Sequence, residues 1–303
     1  MSKTQGRLSE KQSKKHHYIP QFYLKGFTDK DSSYYVFDKR ANKCWKSSPE
    51  NSFAENHRNT GEIKHQVTGE IGRSDIPEIM LAHFDNRTAP IIELIRNSKP
   101  QDHVLTPERL YILRFFIFSL FWRSPANDEL REEIIEKYPL PKLGLRYVDA
   151  AGKPNPEFEQ LMKEIDLFTK LYPAILPLVS FQKKYARNND NEWKIYYRKE
   201  EFHVVTDNPI LHSGFRDFSS LHEELIFPIS SKVLLVSTKK YKPHILAPLF
   251  TLNVDLLLFH KSGRYVASCN RDYLMFLADQ SKQFLSKPGW EHKLQEQIFN
   301  AFY

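Results

Sequence analysis

Residues 192–209 read EWKIYYRKEEFHVVTDNP, and at Trp193 the chain changes from helical to two-residue periodicity. In EWKIYYRKE, aromatic and β-branched residues alternate with Lys and Arg, as in a strand with one buried face. EFHVVTDNP continues the pattern, and the polar stretch Lys199 to Glu201 predicts a turn joining the two as paired strands. Two further apolar runs, ELIFPIS (224–230) and KVLLVSTK (232–239), join at Ser230 and Ser231. A mixed or antiparallel sheet is therefore expected in the C-terminal half. After it, TLNVDLLLFHKSG (251–263) returns to helix with Gly263 as its C-cap, YVAS (265–268) is a short strand, and RDYLMFLADQSKQFLS (271–286) closes the fold as a helix.

Upstream of Trp193 the text is helical. Apolar residues recur at helical spacing through Ile76, Ile79, Met80, Phe84, Ile91, Ile92 and Ile95, with Pro90 expected to kink or split the helix. In TPERLYILRFFIFSLFWRSP (106–125), Thr106 caps a helix that opens on Pro107 and halts before Pro125. DELREEIIEKY (128–138) predicts another helix. EFEQLMKEIDLFTKLY (157–172) predicts a longer one, which Pro173 and Pro177 should bend or break.

At the N-terminus, residues 1–14 lack periodicity and are rich in Ser, Gln and Lys, which predicts a flexible basic tail. PQFYLKGF (20–27) reads as a short helix of about two turns. SYYVFDK (33–39) and NKCWKSS (42–48) read as a hairpin. Residues 49–74 are polar and Gly-containing, which predicts a loop that is either mobile or functional. The fold class that follows is α+β: an N-terminal hairpin and a C-terminal mixed or antiparallel sheet flanking a helical block of about residues 75–187, with 15–303 as one domain.

Composition narrows the function. An apolar fraction of 41% excludes general disorder, and a formal charge of +7 gives a modest positive field that favours polyanions such as nucleic acid. Cys44 and Cys269 stand far apart with no Cys-x-x-Cys, so neither a disulfide framework nor a structural zinc site is indicated. The most apolar stretch, LYILRFFIFSLFW (110–122), is shorter than the ~20 residues of a spanning helix and contains Arg114. The N-terminus has no apolar signal region. A soluble, cytoplasmic protein without membrane association is expected.

Several local patterns bear on chemistry. In KKHHYIPQFYLKGF (14–27) two imidazoles precede a helix start, where a phosphate oxygen or carboxylate binds readily. The simpler reading leaves His16 solvated and His17 as a capping or packing residue. Asp207, in an Asx-type turn before Pro209, is a well-oriented carboxylate able to ligate a metal or orient an imidazole. WKIYYRK (193–199) interleaves aromatic and basic residues as a single-strand binder does, yet a half-exposed strand needs the same text. Arg198 to His203 and Arg216 to His222 match the loose Arg-x(4-6)-His spacing of helical ribonucleases, and two matches in strand-like text show how unspecific that spacing is. Glu192-Trp193-Lys194 imitates half of a metal-dependent nuclease core without the strand that should precede it. There is no phosphate-cradling Gly-rich loop, Gly-x-Ser-x-Gly elbow or His-Glu-x-x-His.

HHYIPQFYLKGF (16–27), the helix ending in WRSP (122–125), VVTDNPI (204–210) and FPIS followed by KVLLV (227–236) together resemble domain-of-unknown-function family 4238, in the family's order over about residues 16–270. The resemblance implies no settled activity. It marks the segments whose polar residues are expected to gather at one site: His17 as general base or metal ligand, Asp207 as its orienter or co-ligand, and Gln21, Arg123 and Asn208 on the substrate side. Such a set would bind or cleave a phosphate-containing ligand, nucleic acid above all, with a divalent metal as the cofactor it would take. The competing expectation is a non-catalytic interaction module that docks a protein partner through its basic face.

Overall fold

The computed structural model describes residues 14–64, 71–138, 142–144, 148, 151–153, 166–182, 192–199, 203–214, 217–222, 224–239, 246–285 and 287–302. Lys15–His17 form β1. Pro20 opens one α-turn, Gln21–Leu24 (α1), which tightens into a 3-10 turn at Lys25–Phe27, so the expected two-turn helix is present. Tyr34–Asp38 (β2) and Lys43–Ser47 (β3) pair as the expected hairpin, with Asn42 at φ 50° in the turn. The stretch 49–74 is not the loop that its composition predicts. It carries a 3-10 turn at Pro49–Asn51, Ala54–Asn56 (β4) paired with β1, and a hairpin of Gly61–Lys64 (β5) with Ile71–Ser74 (β6). Strands this short are held by backbone hydrogen bonds, which polar side chains permit as well as apolar ones. The expected tail lies outside the described residues up to position 13.

The helical block follows. Ile76–Asn97 (α2) runs unbroken through Pro90, whose ring was expected to kink or split it. Thr88, Ile91, Ile92 and Ile95 on either side are buried, and that packing outweighs the one lost backbone bond. Thr106 caps Pro107–Arg123 (α3) as expected, accepting from Arg109 N–H at 3.3 Å. Every residue from Phe115 to Arg123 is buried, so the C-terminal half of α3 is enclosed on all sides. Asp128–Lys137 (α4) matches its prediction, and Asp166–Ser180 (α5) continues through Pro173 and Pro177 instead of breaking. The earlier part of that helix lies outside the described residues. No helix among the described residues is long and apolar enough to cross a membrane.

The remaining elements are Glu192–Tyr197 (β7), Val205–Thr206 (β8), Leu211–His212 (β9), Leu225–Ser230 (β10), Val233–Thr238 (β11), Pro248–Lys261 (α6), Tyr265–Ser268 (β12), Arg271–Leu285 (α7) and Trp290–Asn300 (α8). Among the described residues the strands make two four-stranded antiparallel sheets, ordered β7-β11-β10-β9 and β3-β2-β12-β8. The expected pairing of β7 with β8 does not form. β7 pairs with β11 and β8 with β12, because alternation reports which face is buried and says nothing about the neighbour. The N-terminal hairpin joins the later β12 and β8 in one sheet. α6 ends with Ser262, not Gly263, as its C-cap, and α8 follows α7, which the sequence reading took for the last helix.

The alternation of side chains sorts the core. Leu225, Phe227 and Ile229 of β10 and Val233 and Leu235 of β11 join the cluster built on α3, while Ile226, Leu234 and Val236 join the one built on α6 to α8. Val36 and Phe37 divide in the same way. Both faces of β10 and β11 are thus buried, each large apolar side chain contributing about 1.5–3 kcal/mol. The α+β class stands, with antiparallel strands throughout the described sheets.

His222 is buried between α3 and α5, its Nε2 donating to Ser180 O at 2.5 Å and its Nδ1 facing Arg114. Burial first, aided by the charge of Arg114 and opposed by the Ser180 carbonyl, pushes the imidazole down to about 4. The native state therefore stays neutral where the unfolded chain has already taken up a proton. Stability is present above about pH 6.5 and is lost as pH falls toward 4, at up to about 1.4 kcal/mol per pH unit for this group. Urea unfolding between pH 7 and 4 is expected to show that loss, and His222→Asn to reduce it. An unchanged slope in the variant would remove His222 as its source.

Candidate functional site

The residues singled out from the motifs fall into two hydrogen-bonded groups. His17 donates from Nε2 to Pro49 O (3.1 Å) and Glu50 O (3.3 Å), and its Nδ1 accepts from Gln21 Nε2 at 3.5 Å. Burial lowers its pKa, opposed by the Glu50 carbonyl. His16, expected to be solvated, is fully buried, with Nδ1 accepting from Asn59 N–H at 3.0 Å. No hydrogen bond or ion pair among the described residues joins His17 or Gln21 to the other three.

Arg123, Asp207 and Asn208 lie at the junction of α3 with β8. The buried Arg123 guanidinium forms a bidentate pair with Asp85 (2.9 and 3.1 Å), which takes up two of its donors. Ser124, the cap that ends α3, donates from Oγ to Asp207 O. The Asp207 carboxylate accepts from three consecutive backbone N–H groups, Gly263 (2.8 Å), Arg264 (2.6 Å) and Tyr265 (2.9 Å). Burial pushes its pKa up, against those three donors, which favour the ionised form. Asn208 lines a cleft of about 300 Å³.

A larger cleft, about 490 Å³, opens beside β7 and holds an arrangement that the motifs do not include. Its wall carries Lys194, Tyr196, Tyr197, Arg198 and His203. His203 is held by its own N–H, which donates to Ser231 O at 3.0 Å just past β10. Its Nδ1 lies 3.2 Å from Oδ1 of Asp255, a fully buried carboxylate on α6. Asp255 also accepts from Tyr273 Oη on α7 (2.8 Å) and from Val204 N–H (3.4 Å). Burial and then the charge of Asp255 push the Tyr273 hydroxyl well above its ordinary pKa, so it stays a donor. With Nδ1–H given to Asp255, Nε2 of His203 is the lone-pair nitrogen, and it is buried without a partner among the described residues. Arg198 is tied through its guanidinium to Thr251 Oγ1 on α6. Among the described residues no group of three or more His, Cys, Asp or Glu side chains is placed to hold a metal ion.

Two patterns set aside in the sequence as unspecific, WKIYYRK and the Arg198–His203 spacing, both line this cleft. The signal passed over was Asp255 itself: a carboxylate in the run NVDLLLF, on a helix apolar all round, is buried and must be paired. Its partner lies 52 residues away, which no local pattern reports.

The chain belongs to the family described as protein of unknown function DUF4238, whose model matches residues 15–284. No curated protein and no solved structure matches it.

Asp207 provides a direct test of this geometry. Asp207→Asn puts an amide donor where three N–H groups converge, and is expected to lower stability by about 2–4 kcal/mol, read as a shift of the denaturant midpoint. A midpoint within error of wild type would contradict the hydrogen bonding described.

Proposed function

We propose that the protein binds a phosphate-bearing ligand of the nucleotide or single-stranded nucleic-acid class in the β7–α6 cleft, and that His203 acts there as a general base. The observation that carries the reading is the buried His203–Asp255 pair on the wall of a cavity of ligand size, with its Nε2 unpartnered among the described residues. Asp255 fixes the tautomer, Tyr273 fixes Asp255, and the residual proton acceptor is Nε2, suited to take the proton of a substrate hydroxyl or a water. Lys194 and Arg198 supply positive charge for phosphate, and the half-buried Tyr197 supplies an aromatic ring on which a base can stack. The net charge of +7 favours encounter with such a polyanion.

Purified protein incubated with labelled single-stranded RNA and DNA, with and without divalent metal, tests the proposal. Binding that weakens steeply with salt and cleavage by wild type are the expected results. His203→Gln should lower cleavage by about 10²–10⁴-fold while binding is retained, and Lys194→Ala with Arg198→Ala should weaken binding. Melting temperatures of all variants separate lost chemistry from lost structure. No salt-sensitive binding and no cleavage under any condition would sink the proposal and favour the non-catalytic module that docks a protein.

A further inference from the structure

The family-like segments WRSP and TDNP do not line the His203 cleft. Asn208 of TDNP lines the smaller one instead, together with Asn127, two residues past WRSP, and with His212, His260, Lys261 and Glu291. Glu291, in the first turn of α8, enters it with its carboxylate 3.2 Å from Lys261 Nζ and 3.2 Å from His260 Nε2. The Glu291 side chain is 47% exposed against 26% for Lys261 and 17% for His260. A solvated carboxylate thus rests on two more enclosed donors, and a pair solvated on one side is easily exchanged.

We infer that this cleft is a second ligand site, for a hydrogen phosphate group, and that Glu291 occupies the anion's place until such a group displaces it. Three observations support the assignment. The His212 Nδ1 accepts from Gly214 N–H at 3.2 Å, which leaves Nε2–H as a further donor toward an anion. Burial holds that imidazole neutral, down to about 4, so it donates without adding charge. The Asn208 Oδ1 is buried and accepts nothing among the described residues, so a ligand that completes the site must donate as well as accept. A carboxylate such as that of Glu291 only accepts. A phosphate monoanion offers acceptor oxygens for Lys261, His260 and His212 and one P–O–H for Asn208.

The third observation is where the pieces come from. The donors and Asn208 fall inside residues 15–284 matched by the family model, whereas Glu291 and the rest of α8 lie beyond them. α8 is nevertheless seated on the same cleft: Lys261 Nζ donates to Gln295 Oε1 (2.6 Å), and Gln295 Nε2 to His212 O (3.1 Å). The family segment supplies the anion site, and a helix outside it supplies the carboxylate that fills it.

Inorganic phosphate and acetate, titrated into the full chain and followed by melting temperature and by chemical shifts of the His260 and His212 rings, test the inference. Glu291→Gln keeps the helix and the hydrogen-bond acceptor but removes the charge, and should tighten phosphate binding by about tenfold or more relative to wild type. In that variant acetate, lacking the P–O–H for Asn208, should bind more weakly than phosphate. Lys261→Met in the otherwise native chain should lose the phosphate response of the His260 and His212 rings, which decides the matter even if Glu291→Gln fails to fold. Equal phosphate affinity in wild type and Glu291→Gln, acetate as tight as phosphate, or an undiminished response in Lys261→Met would each overturn it. His203→Gln should leave every one of these titrations unchanged, so this site and the base proposed at His203 stand or fall separately.

Discussion

The structure hinges on one buried carboxylate. Asp207 follows β8 directly and collects the N–H groups of Gly263, Arg264 and Tyr265, which link the end of α6 to the start of β12. Ser124 binds the Asp207 carbonyl, so the end of α3 is tied to the same point. Three segments far apart in sequence therefore meet through one residue whose charge burial disfavours and whose hydrogen bonds compensate it. Gly263 packs closely at this junction: a Cβ there would stand 3.3 Å from Ala126 Cβ, so that neighbour would have to give by a few tenths of an ångström.

What that junction positions is α6. Facing one cleft, the helix presents Asp255 to His203 and Thr251 to Arg198; at its C-terminal end it presents His260 and Lys261 to the other. Its last carbonyls are covered by Lys39, whose Nζ donates to Phe259 O, His260 O and Ser262 O at 2.6–2.9 Å. Lys39 extends the N-terminal hairpin, so the strands of the first fifty residues brace a helix two hundred residues later. Between its polar contacts α6 is apolar, with Val254, Leu257 and Leu258 fully buried, and that packing holds Asp255 steady.

This division explains how the motif residues behave. Arg123 and Asp207 are committed, one to Asp85 and the other to backbone N–H groups, and each secures a turn on which the clefts depend. Asn208, next to Asp207, is the motif residue left with an unmet buried acceptor, and it lines the smaller cleft. His17 bonds to the Pro49 and Glu50 carbonyls and accepts from Gln21, and so braces α1 against the turn at Pro49–Asn51.

By itself the sequence determined the local structure: the cap at Thr106, the halt before Pro125, the hairpins at 34–47 and 225–238, and the α+β class all follow from capping, turn chemistry and the spacing of apolar residues. The same reading reached Asp207 and Asn208 as oriented polar residues, because an Asx turn is a local event. Only the tertiary structure decided that β7 and β8 go to different sheets, that α2 and α5 run through their prolines, and that residues 54–56, 61–64 and 71–74 form strands. It alone brought His203 to Asp255 and Glu291 to Lys261. Periodicity records whether a side chain is buried; which partner it meets there is set by long-range packing, and a pairing across 52 or 30 residues leaves no periodic trace.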